Sequence, residues 1–145
     1  MKIIIEPLPP GEDEQIIVRC NEIPPELLRL LNSFKTHNNM LTGYRNNQIH
    51  RIPPKDIFYI ETVDNKTFLY LAKDVYESRQ KLYELEEVLA NSDFLRISKS
   101  VIVNVSKIKF LAPELSGRLE AALHNGEAVI ISRQYVGELK KHLGI

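Results

Sequence analysis

A β-rich α+β fold with short helices is what this chain predicts. From Met40 onward, short runs rich in Ile, Val, Phe and Tyr recur, and Asn, Asp and Gly pairs separate them. Apolar residues at helical spacing appear in only a few stretches. At 145 residues, 43% hydrophobic and 26% charged, the chain has the size of one ordinary domain and enough apolar surface for a core.

The first forty residues read as an appendage of two strands and a helix. Ile3–Ile5 forms a short strand, and the acidic, proline-rich segment from Pro7 to Glu14 breaks it. Gln15–Cys20 forms a second strand, with Cys20 a small buried residue beside Ile16-Ile17-Val18. Pro24-Pro25-Glu26 opens a helix, since proline suits the first turn and an acid suits its dipole. Leu27, Leu30, Leu31 and Phe34 line its buried face, and His37-Asn38-Asn39 ends it.

The β pattern then takes over. Leu41–Tyr44 and Gln48–Ile52 flank an Arg45-Asn46-Asn47 turn, and Pro53-Pro54-Lys55 separates them from a strand over Asp56–Val63. Asp64-Asn65 closes a hairpin onto Thr67–Ala72, because both residues tolerate positive φ. Glu77–Ala90 is an amphipathic helix with Leu82, Leu85, Val88 and Leu89 on one face, stopped by Asn91-Ser92-Asp93. Phe94–Ile97 is a short strand, while Ser98–Val105 reads equally as strand or helix. Lys107–Ala112, Arg118–Leu123 and Glu127–Ile131 form three antiparallel strands, the last two joined at Asn125-Gly126. Ser132 caps a final helix, Arg133–Leu143, whose inner face is Val136, Leu139 and Leu143.

Several function classes drop out. No apolar run approaches the roughly 18 residues of a membrane helix, and the N-terminus lacks the pattern of a signal peptide. The single cysteine suits a reducing, cytoplasmic setting. His37, His50, His124 and His142 lack metal-ligand spacing, and no Gly-rich phosphate loop is present. Neither an enzyme nor a cofactor or metal site is expected.

The stretch from Phe94 to Tyr135 carries the chemistry. Arg96-Ile-Ser98-Lys99-Ser100 and Ser132-Arg133-Gln134 combine hydroxyls with long cations, as phosphate gripping and base reading require. Net charge is zero, but unevenly distributed. Residues 1–95 hold 11 Lys/Arg against 15 Asp/Glu, and residues 96–145 hold 8 against 4. Such a chain can present one basic face. Arg133 also opens a helix, where a cation opposes the dipole, so a nearby anion explains it better than chance.

From about Tyr44 to Ile145 the chain resembles the LytTR DNA-binding domain of bacterial transcription regulators. The resemblance rests on Ile57-Phe-Tyr-Ile-Glu61, on Phe94 through Ile108, and on Val129-Ile-Ile-Ser-Arg133-Gln-Tyr-Val-Gly-Glu-Leu-Lys140. It implies an elongated set of small antiparallel β-sheets that reads DNA through loops. Base contacts would come from the Asp64–Thr67 hairpin through Lys66 and Thr67, from Lys99, and from Arg133. Arg96, Ser98, Ser100, Lys107, Gln134 and Tyr135 would touch phosphates, while Asn104 is structural and Glu61 orients the hairpin. The family often has His followed by Arg or Asn where this chain has Ser98-Lys99, so the bases read are not carried over. Residues 1–42 are too short for a phosphorylatable receiver, which points to a stand-alone regulator with its DNA-binding domain over 43–145. Double-stranded DNA bound by a homodimer on repeated half-sites is the expected partnership. A second reading is an interaction module whose N-terminal arm docks a regulatory, even membrane-bound, protein.

Overall fold

The structure, a computed structural model, describes residues 2–37 and 40–145, and only the backbone of residues 33–37. Asn38-Asn39 and the side chain of Phe34, both invoked above for the first helix, lie outside the described residues.

Residues 2–24 hold no strand, and the two expected there are not formed. Ile3–Ile5 and Ile16–Val18 are exposed, and so is Cys20, against expectation. An extended run without a neighbouring strand has no partner for its backbone groups other than water. Helix α1, Pro25–His37, follows. Leu27 and Leu31 are half-buried. Leu30, expected inside, is exposed, because the helix meets the domain along one edge near a 3-10 turn at Pro54–Asp56.

Among the described residues, ten strands make two antiparallel sheets. The larger comprises β1 (Leu41–Arg45), β2 (Gln48–Ile52), β3 (Tyr59–Val63), β4 (Lys66–Tyr70), β5 (Val75–Ser78), β6 (Phe94–Arg96) and β7 (Val101–Asn104), in the order β2-β1-β5-β4-β3-β7-β6. The smaller comprises β8 (Ile108–Pro113), β9 (Leu119–Leu123) and β10 (Ala128–Ile131), with β9 in the middle. Helices α2 (Leu82–Val88) and α3 (Arg133–Leu143) complete the domain. The first strand begins at Leu41, where the sequence reading places it.

Local turn chemistry explains the tight hairpins. Asn46 and Asn47 between β1 and β2, and Asp64 and Asn65 between β3 and β4, all have φ between 51° and 62°. Two consecutive positive φ values match the right-handed twist of the flanking strands. Gly43 answers a different demand. A Cβ there would lie 2.7 Å from Tyr76 Cβ on the adjoining strand, so only glycine lets β1 and β5 approach.

Two expectations change. The helix expected from Glu77 begins at Leu82, and Val75–Ser78 instead fills the slot between β1 and β4. Closing that sheet satisfies more backbone groups than an added helical turn could. The ambiguous Ser98–Val105 segment resolves as strand β7 followed by a 3-10 turn, Val105–Lys107.

Strands β3 and β7 alternate across the central sheet and so serve two cores. Ile60 and Ile102 pair across the strands and face α2 with Ile57, Leu69, Leu82, Leu85 and Leu89. Val101 and Val103 face the opposite way, onto Ile97 after β6 and onto Leu123, Ile131 and Leu139 of the smaller sheet and α3. Leu143, expected on the inner face of α3, is exposed near the helix end. Asn104 is buried and bonds the Ile57 carbonyl at 2.9 Å, as its structural reading anticipated. Glu61 neighbours the Tyr70 hydroxyl, whose pKa is raised by burial first and by that carboxylate next.

Candidate nucleic-acid interface

Three segments distant in sequence meet at one end of the larger sheet. The turn Ser98-Lys99-Ser100 joins β6 to β7. The Ser100 carbonyl accepts from Thr62 N at 2.8 Å, which ties the turn to the end of β3 and so to the Asp64-Asn65 hairpin. The Ile97 carbonyl accepts from Ser132 N at 2.8 Å, which ties the same turn to the start of α3. Ser98, Lys99, Ser100, Ser132, Arg133 and Gln134 then line one open depression of about 670 Å³.

Arg96 organises the turn from within. Its Nε donates to the Ser98 carbonyl at 2.6 Å, its Nη2 donates to the Lys99 carbonyl, and its Nη1 pairs with Glu86 Oε2 at 2.6 Å. Ser98 Oγ adds a bond from Ser100 N at 3.2 Å. With two carbonyls held from inside by a charge-assisted fork, the exposed Lys99 side chain is left to solvent. Arg96, expected at phosphate, thus holds the turn and is anchored on α2.

Arg133 and Gln134 are exposed in the first turn of α3. Ser132 sits at the N-cap with extended backbone, but its hydroxyl makes no capping bond, contrary to the expected cap. The helix start therefore offers backbone donors and the positive dipole end to an anion. The Arg133 stem lies against Gly117 in the β8–β9 loop. A Cβ on Gly117 would sit 3.4 Å from Arg133 Cγ and Cδ. Ser132, expected both as a cap and among the hydroxyls beside Arg133, lines the depression, whereas Gly117's approach to Arg133 has no local signal in the sequence.

The remaining expected contacts divide. Lys66 is exposed at the start of β4, beside the hairpin tip. Thr67, expected at a base edge, is 4% exposed, opposite Ser78 and 3.4 Å from Thr62 Oγ1, so its side chain faces the interior side of the sheet. Strand alternation turns it inward where Lys66 turns out. Lys107 lies beyond the far end of β7, its ammonium 5.0 Å from the Phe58 ring centre. It therefore lies apart from the cluster. Tyr135 packs against the Leu139 core with its ring half-buried.

The other end of α3 is held by the N-terminal region. Arg29 Nη1 donates to the His142 carbonyl at 2.7 Å, and His142 Nε2 lies 3.9 Å from Asp93 Oδ1. Burial, and then the Arg29 charge, hold the His142 pKa below its ordinary 6.5.

No described helix is long and apolar enough to cross a membrane. A family model described as the LytTr DNA-binding domain matches residues 47–144. The solved LytTr DNA-binding domain of a Bacillus cereus response regulator superposes with a TM-score of 0.69 and 28% identity, covering 73% of this chain and 97% of that one. The sensory transduction protein LytT of Enterococcus faecalis is 30% identical over 98 residues, 68% of this chain but only 40% of its own length. An uncharacterized HTH-type transcriptional regulator of Staphylococcus aureus is 29% identical over 128 residues, 88% of this chain and 85% of its own. Among the described residues of this chain no two α-helices follow one another across a short turn, as a helix-turn-helix requires.

Proposed function

Because the chain belongs to the LytTr DNA-binding domain family, we propose that it is a cytoplasmic transcription regulator that binds double-stranded DNA through the end of the sheet where Lys66, Lys99 and Arg133 lie. The convergence of the Ser98–Ser100 turn with the α3 N-terminus carries this reading. Lys99 and Arg133 enter the major groove. Arginine can present two parallel donors to a guanine edge, and the α3 N-terminus steadies a neighbouring phosphate. Ser98, Ser100, Gln134 and the Tyr135 hydroxyl position the backbone, with Lys66 flanking from the hairpin. Residues 43–145 are the DNA-binding domain, and residues 1–42 are an extension. The protein acts as a homodimer on two repeated half-sites.

Footprinting of genomic fragments gives the site and its half-site spacing. On that site Arg133→Ala costs about 1–3 kcal/mol and relaxes preference at one base pair. Unchanged cognate affinity would remove Arg133 from the interface.

The exposed apolar runs of residues 2–24 also fit a second reading, an arm that docks a regulatory protein. Retention of a protein partner without any DNA retention in pull-downs favours that reading.

A further inference from the structure

Residues 2–24 concentrate exposed β-branched side chains in short runs. Ile3, Ile4 and Ile5 are 85%, 67% and 92% exposed, and Ile16, Ile17 and Ile23 are all more than half exposed. β-branched runs of this kind favour a pleated, half-buried surface, yet no strand forms before Leu41 among the described residues. Leu8 and Val18 add to this exposed apolar surface.

Charge register selects the occupant. The run Lys2-Ile-Ile-Ile-Glu6 is self-complementary when two copies align antiparallel about Ile4. Lys2 then faces Glu6 of the other copy twice, Ile3 faces Ile5, and Ile4 faces Ile4. Pairing the same run with Ile16–Val18 of its own chain sets Ile4 opposite Ile17 and brings Lys2 opposite Arg19. Like charges directly opposite disfavour a strand pair, and opposite charges favour it. An isologous contact is also the usual way for a soluble protein to close a dimer.

We propose that residues 2–6 of two copies pair as antiparallel strands about a two-fold axis at Ile4, nucleating a homodimer through the N-terminal arm. The second apolar run, Ile16–Val18, adds to the apolar surface that this closes. Arg29 of α1 holds the His142 end of α3, whereas Ser132 and Arg133 open the other end. The arm thus joins the domain away from the DNA-binding end, and the two contacts do not compete. The inference rests on the dimeric part of the reading above and is independent of its DNA part.

Sedimentation of the 145-residue chain at tens of micromolar, without DNA, tests it. The wild type sediments as a dimer, and Ile4→Glu as a monomer. Lys2→Glu alone and Glu6→Lys alone each weaken the dimer about tenfold, because each creates two like-charge pairs. An equimolar mixture of those two variants regains the dimer, since each supplies the charge the other lacks. These residues are exposed in the folded protein, so the variants keep their fold, and unchanged circular dichroism checks it. Loss of DNA binding with unchanged sedimentation sinks the DNA reading and leaves the pairing standing. A monomeric wild type, a dimeric Ile4→Glu, or a mixture that stays dissociated overturns the pairing.

Discussion

Two polar turns bound strand β7, Ser98-Lys99-Ser100 at its start and Asn104-Val105-Ser106-Lys107 at its end, and each supplies serine and lysine. In the first, the backbone carbonyls are satisfied from behind by Arg96, so the lysine side chain remains available. In the second, the side chains themselves do the satisfying. Asn104 Nδ2 bonds the Ile57 carbonyl at 2.9 Å, and its Oδ1 accepts from Ser106 N at 3.1 Å and Ser106 Oγ at 2.7 Å. Lys107 lies over Phe58. Similar residue types have opposite fates because buried polar groups must be paired, and whichever group pairs them is no longer available to a ligand. The contrast extends to α3, which starts beside the first turn and ends near the second. There His142 lies close to Asp93, whose carbonyl accepts from Val105 N at 2.8 Å.

The contrast can be broken at its structural end first. Asn104→Ala leaves the Ile57 carbonyl and Ser106 without their partner and costs about 3 kcal/mol of unfolding free energy. Urea unfolding measures it, and a cost below about 1 kcal/mol would show that water replaces the network. At the other turn, Arg96→Ala weakens cognate DNA about tenfold by loosening Lys99, yet leaves the salt dependence of binding unchanged. A slope shallower by about one unit would return Arg96 to the phosphate contacts first expected of it.

Acid sharpens the comparison at the α3 terminus. His142 has a depressed native pKa, so the unfolded chain binds more protons in the window just below 6.5. Its stability contribution is complete above that value and declines as pH falls through the window. Thermal melts below pH 6.5 should show a shallower acid limb in His142→Gln than in the wild type, and equal limbs would dismiss the effect. Lys107→Ala has the smallest effect. Loss of one partly exposed cation–π contact costs about 0.5 kcal/mol, with DNA affinity unchanged. A fall in DNA affinity would place Lys107 back at the interface.

Local chemistry made much of the fold legible. Asn46-Asn47 and Asp64-Asn65 announced two hairpins, because positive φ is a property of the turn residues themselves. The apolar face of α3 was readable as far as Leu139, though not at Leu143. Strand β5 was missed because Glu77 and Ser78 look helical until β1 and β4 stand on either side of them. Within the candidate site, Lys99 and Arg133 were visible as cations among hydroxyls. The burial of Thr67 depends on its strand's facing, and the pairing of Arg96 on Glu86, neither of which the sequence shows locally.

The sequence by itself determined the β-rich class, the tight turns and the family, since alternation, turn residues and motif order are all written along the chain. Tertiary structure alone decided which hydroxyls and cations are available to a ligand. That choice depends on carbonyls and carboxylates brought together from separate elements, as Glu86 is to Arg96 and Ile57 to Asn104. The energy of leaving such groups unpaired is set only once the chain has closed around them.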